Sequence, residues 1–115
     1  MNVIRLGAAD RMKVKVTKHG FDGARAICAM LTSAGLTPVL GHVFEMGLAA
    51  IAEAQFAACT PGLALPCEIG SMAPMGTAAD IVRNDLRPEP GYIAVPTGPG
   101  LGADVDWARV RGGNT

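Results

Sequence analysis

A chain of 115 residues makes at most one domain, though it is long enough to bury a core. Half of the residues are hydrophobic and only 4% aromatic, so the interior must be aliphatic and alanine-rich, which suits helices packed on strands better than a β-sandwich. Ten basic and ten acidic side chains cancel, which argues against nucleic acid as the main partner.

Residues 2–9 read as the end of a helix. Residues 12–17 alternate Lys13, Lys15 and Thr17 against Met12, Val14 and Val16, the period of a strand. Asp22 is placed to cap a helix running to about residue 34, with Ala24, Ile27, Cys28 and Leu31 on one buried face and Gly35 as its left-handed stop. Residues 37–40 form a short apolar strand ending at Gly41 and His42. A second helix is predicted over residues 46–59, with Leu48, Ile51, Ala52, Phe56 and Cys59 inward. Residues 63–67 read as a third strand, ending at Glu68. Strand, helix, strand, helix, strand implies parallel neighbours. Proline and glycine then become frequent. The pattern predicts a short helix near residues 77–83, a small strand at 92–95, a rigid turn at 96–102, and a last helical turn at 107–110 capped by Asp104 or Asp106.

Cys28, Cys59 and Cys67 are an odd set without metal-ligand spacing, so free thiols in a reducing compartment are expected. The start lacks the apolar core of a signal peptide, and the longest apolar stretch, residues 46–59, is broken by Glu53 and Gln55. A cytoplasmic protein with no membrane partner is the expectation. Arg5, Arg11, Lys13, Lys15, Lys18 and Arg25 outnumber Asp10 and Asp22 near the start, but no aromatic platform interleaves them, and they read as a solvated face.

The positions that carry chemistry are spaced like βα units. Lys15, His42 and Glu68 each fall near the end of a predicted strand, 27 and 26 residues apart. In a barrel of parallel strands, side chains at the strands' carboxyl ends converge on one mouth. Lys13 shares a face with Lys15. Two such lysines belong either to a polar mouth or to an edge strand facing water. A lone His42 also has a purely structural reading, and Glu45 reads equally as a first-turn carboxylate of the following helix. Glu68 follows an apolar strand with no capping role in view. The turn Gly98-Pro99-Gly100-Leu101-Gly102 is not a dinucleotide loop, because no full helix follows it.

The runs VKVTKHGF, GARAICAMLTSAGL, PVLGHVFEMGLA, PCEIG and ADIVRNDLRPEPGYIAVPTGPGLG resemble the end of the mandelate racemase/muconate lactonizing enzyme group of the enolase superfamily. The resemblance spans about residues 3–111 and corresponds to the last third of such enzymes. It implies the last three parallel strands of a (β/α) TIM-type barrel, an α/β fold, with residues 1–68 as βα units and 69–115 as closing helix and tail. It also implies an isomerase or lyase that abstracts the α-proton of a small carboxylate with a Lys or His base and magnesium. Lys15 matches the sixth-strand catalytic lysine and Glu68 the eighth-strand glutamate. His42 lies where the racemase branch carries its histidine, but the aspartate orienting that histidine is replaced here by Lys15. Lys15 is therefore the implied acid/base, with Lys13, His42 and Glu45 as pocket residues. Phe21 stands where a second glycine is usual. The strands that hold the family's metal carboxylates are missing, so no metal ligand is expected in this chain. Alone it is expected to be inactive. Its open edges would be covered by the missing amino-terminal barrel portion or by self-association, the latter suiting a non-catalytic binding or assembly module.

Overall fold

The computed structural model describes residues 2–69, 80–84, 86 and 89–112. The chain divides into two compact units, Met1–His42 with Phe56–Ile69, and Val43–Gln55 with Gly70–Thr115. Residues 43–55 group with the tail.

The first unit opens with α1 (Asn2–Leu6), closed where Gly7 turns to φ +57° and Ala8 N–H reaches Val3 O at 3.1 Å. Strand β1 (Arg11–Val14) lies parallel to β2 (Thr37–Leu40), Arg11 opposite Thr37 and Val14 opposite Leu40. Helix α2 (Val16–Ser33) joins them. The strand stops sooner than the alternation suggests because Lys15 O at once accepts from Lys18 and His19 N–H, forming a turn. Gly20, at φ +66° and ψ 176°, breaks that turn from the longer helix that follows, and Asp22 stands two residues past the kink, near the start of that longer piece. Ala24, Cys28 and Leu31 are buried along one stripe, as their spacing requires. The helix ends in a Schellman motif: Gly35 sits at φ +77°, and Leu36 N–H bonds Leu31 O at 2.9 Å.

The predicted third strand is not formed. Residues 63–69 run beside β2, with Ala64 N–H on Pro38 O (2.9 Å) and Glu68 N–H on Leu40 O (3.1 Å), and the described segment has no regular ladder. A parallel ladder would have residue 66 donate to Leu40, but Pro66 has no N–H. Glu68 makes that bond instead, four residues of the segment passing two of β2. The core of this unit joins Val14, Val16, Ala24, Cys28, Leu31, Leu40 and Phe56. Phe56 also meets the Phe21 ring at a centroid distance of 6.3 Å. Burying each of the larger members contributes about 1.5–3 kcal/mol.

In the second unit lie residues 47–55 of α3 (Gly47–Ala58). Its amino terminus is capped from 33 residues away: Gly47 N–H donates to Asp80 Oδ2 at 2.7 Å. A Cβ at Gly47 would stand 2.8 Å from that oxygen, so a side chain there would push the Asp80 carboxylate off the cap. Over the whole helix the buried side is wider than the predicted stripe. Ala50, Ile51, Glu53, Ala54 and Phe56 are buried, whereas Leu48 and Ala52 are only half-buried. Cys59 is exposed because α3 ends at Ala58 and the chain leaves the helical phase there.

Gln55 donates to Pro96 O (2.6 Å) and Leu101 O (3.0 Å), holding the glycine–proline turn that Gly102 N–H closes on Pro99 O. Val82 and Val105 form an antiparallel bridge beside it. Helix α4 (Trp107–Gly112) begins as expected, with Asp106 Oδ1 accepting from Ala108 and Arg109 N–H. Two expectations fail here. Tyr92 makes only an isolated bridge to Glu89, and residues 80–83 are not helical because their backbone serves the Val82–Val105 bridge; residues 77–79 lie outside the described ones. Among the described residues no helix is long and apolar enough to cross a membrane.

Candidate active site

The candidate site belongs to the first unit and is built at the carboxyl ends of its two parallel strands. Val14 is fully buried on one face of β1, so Lys13 emerges on the other. Lys15 keeps an extended backbone (φ −126°, ψ 118°), and the alternation carries through to it before α2 begins. Both lysines therefore leave the same side. Gly41, just past β2, continues the pairing through its N–H to Val14 O at 3.0 Å.

Gly41 is also the floor beneath the lysines. A Cβ there would lie 3.2 Å from Lys13 Cδ and 3.4 Å from Lys15 Cε, so both aliphatic stems pass over a residue without a side chain.

The polar ends are then fixed. Lys13 Nζ contacts both oxygens of Glu68, at 2.5 Å (Oε1) and 2.7 Å (Oε2). Lys15 Nζ donates to the carbonyl oxygen of His42 at 3.0 Å. The hydrogen bond from Lys13 holds the Glu68 carboxyl below its ordinary value, aided by the Lys13 charge, a hydrogen bond from the His42 backbone and the Lys15 charge, while partial desolvation works against them. Glu68 is thus a carboxylate at neutral pH. The side chains of Lys13 and Glu68 are 55% and 48% exposed, so water screens the pair and it adds little to stability. Beside them the Cys67 thiol is pushed up by burial and stays neutral.

Lys15, His42 and Glu68 do meet. His42 joins through its backbone, which accepts from Lys15 and bonds Glu68. Lys13, one of the secondary candidates, grips Glu68 directly. Glu45 belongs to the second unit, where it is buried and its carboxylate accepts from Val43 N–H. It precedes α3 instead of occupying its first turn; Asp80 takes the capping role. Sequence reasoning missed Gly41, whose only signal was its place between an apolar strand and His42. It also missed Glu53, a fully buried carboxylate in an alanine-rich helix.

Lys13, Lys15 and Glu68 do not fit a divalent cation. Magnesium prefers carboxylates and water, whereas here two ammonium groups flank a single carboxylate already engaged by one of them.

The chain matches the family described as "Enolase C-terminal domain-like" over residues 1–109. It is 28% identical over 112 residues to muconate cycloisomerase 1 of Rhodococcus opacus, covering 96% of this chain and 30% of that protein. The crystal structure of a muconate cycloisomerase from Azorhizobium caulinodans superposes with a TM-score of 0.81 at 35% identity, covering 97% of this chain and 31% of that one. An enolase from Thermobispora bispora DSM 43833, crystallised with magnesium and formate, shares the fold at a TM-score of 0.81 and 22% identity, over 95% of this chain and 26% of its own. This chain therefore spans less than a third of the length of these relatives.

Proposed function

The chain belongs to the enolase C-terminal domain-like family, and from that premise we propose that it is the carboxyl-terminal segment of an isomerase or lyase that removes the α-proton of a carboxylate substrate. The observation carrying this reading is the meeting of an ammonium and a carboxylate at the carboxyl ends of two parallel strands, with the His42 backbone between them. That is where barrel enzymes keep their reacting groups.

Lys15 is the acid/base. As a neutral amine it takes the α-proton: the C–H bond breaks, an N–H bond forms, and the electron pair remains on the substrate as an enediolate. The resulting ammonium is received by the His42 carbonyl, already within hydrogen-bond reach at 3.0 Å. Glu68 is the fixed carboxylate of the site, and Lys13 keeps it ionised. The remainder of the enzyme supplies whatever metal ligands it uses, since this group of three does not fit a cation. It also covers the outer edge of β1, which has no strand beside it among the described residues.

The relatives named as muconate cycloisomerases make a muconate the first substrate to test. The 115-residue chain is assayed with magnesium and a panel of muconate, 2-hydroxy-acid and dipeptide substrates. It is assayed alone and co-expressed with the preceding two-thirds of a relative. Turnover only in the second case supports the reading. Turnover by neither, with the chain forming a discrete oligomer of its own, replaces it with a binding or assembly module.

A further inference from the structure

We propose that Lys13 is a positioning residue: its stem lies across Gly41, its ammonium grips both oxygens of Glu68, and it thereby leaves Lys15 unclaimed by any carboxylate among the described residues and open to an anionic substrate. This rests on the reading that Lys15 and Glu68 serve one site.

Strand alternation delivers two ammonium groups to one side of β1, and among the described residues a single carboxylate reaches them. One carboxylate engaged through both oxygens satisfies one ammonium. Glu68 engages Lys13, and Lys15 is left to a neutral carbonyl oxygen. Without Lys13, the cation nearest to Glu68 is Lys15, and the carboxylate would turn onto the group that must exchange a proton with substrate. An acid/base buried in such a pair is quenched, since the paired carboxylate holds its proton in place. Lys13 thus settles how the two charges are shared. Its own reach is set by Gly41, because a methyl group there would come within 3.2 Å of Lys13 Cδ and 3.4 Å of Lys13 Cβ.

Among the described residues the groups facing Glu68 are few. Lys13 and Lys15 come from β1, the backbone of His42 follows β2, and Cys67 precedes Glu68 in its own segment with a thiol that burial keeps protonated. A titration of Glu68 therefore reports on the two lysines.

The test is a carboxyl-carbon NMR titration of Glu68 in the 115-residue chain, followed together with the Lys15 side-chain signals. In the unaltered protein Glu68 titrates below an ordinary glutamate, and Lys15 does not track it. Lys13→Gln moves the Glu68 midpoint upward and makes the Lys15 signals follow the Glu68 titration. Lys13→Arg restores the original behaviour. Gly41→Ala, which leaves every charge in place, shifts Glu68 in the same direction as Lys13→Gln but less. An unchanged Glu68 midpoint in Lys13→Gln, with the remaining backbone spectrum as before, overturns the proposal. So does an ordinary midpoint in the unaltered protein, which needs no variant to fold. The readout is independent of turnover. A shifted midpoint with no activity on reconstitution leaves the positioning role standing and removes the catalytic reading. Activity with an unmoved midpoint does the reverse.

Discussion

Phe56 and Phe44 are chemically identical and only twelve residues apart, yet the structure assigns them very different weights. Phe56 is fully buried, joins the core of the first unit and meets the Phe21 ring at 6.3 Å. Phe44 is 76% exposed. Truncating a buried phenylalanine to alanine costs about 3–5 kcal/mol, which already includes the ring–ring contact of about 0.5–1.5 kcal/mol. For a domain holding about 5–15 kcal/mol in all, Phe56→Ala removes about a fifth or more of the total. With a urea slope of about 1.5 kcal/mol per molar, the midpoint falls by roughly 2–3 M. Phe44→Ala stays within about 0.5 kcal/mol, a midpoint change of roughly 0.3 M. The assay is urea unfolding followed by far-ultraviolet circular dichroism, with Phe56→Leu as the graded variant should Phe56→Ala not fold. Equal losses at the two positions, or a negligible loss at Phe56, would refute the placement of the core.

Phe44 also holds a left-handed backbone, φ +49°, where a side chain is unfavourable; Phe44→Gly is neutral or stabilising by up to about 1 kcal/mol in the same assay, and a loss beyond that would show that its ring is needed. Asp80→Ala strips the acceptor from Gly47 and Val82 N–H, weakening that cap by about 1–2 kcal/mol. Both amides then exchange with solvent about 5–30-fold faster, whereas Asp80→Asn changes them little. Asp106 is held below an ordinary aspartate by the Arg109 N–H, with further help from the Arg83 charge and the Ala108 N–H. Because its folded value lies below the unfolded one, its stabilisation is complete above the ordinary aspartate range near about 3.9 and fades as pH falls through the folded value. Amide shifts of Ala108 and Arg109 followed from about pH 6 to about pH 2 report that loss, and Asp106→Asn abolishes the dependence.

Local signals in the sequence carried the local structure. Gly35 after an apolar stripe marked the end of α2, and the short apolar run before Gly41 marked β2 to the residue. The 27- and 26-residue spacing also brought Lys15, His42 and Glu68 to one place. What stayed hidden depends on partners distant in the chain. Pro66 reads as tolerable in a short strand until its neighbour is known to be β2, whose Leu40 carbonyl then waits for Glu68. Asp80 caps a helix 33 residues earlier, which no capping pattern can encode, so Glu45 looked like the cap. Composition alone makes Glu53 a break in an apolar run, although it is buried to the last square ångström. The choice Glu68 makes between two lysines depends on the space over Gly41, a property of packing and not of spacing.

The most direct test of the central claim is solvent deuterium wash-in at the substrate α-carbon, measured on the chain reconstituted with the preceding part of a relative. If Lys15 moves that proton, Lys15→Met lowers the exchange rate by about 10²–10⁴-fold while substrate still binds. Exchange at the unaltered rate in Lys15→Met would place the proton transfer on another residue and contradict the account.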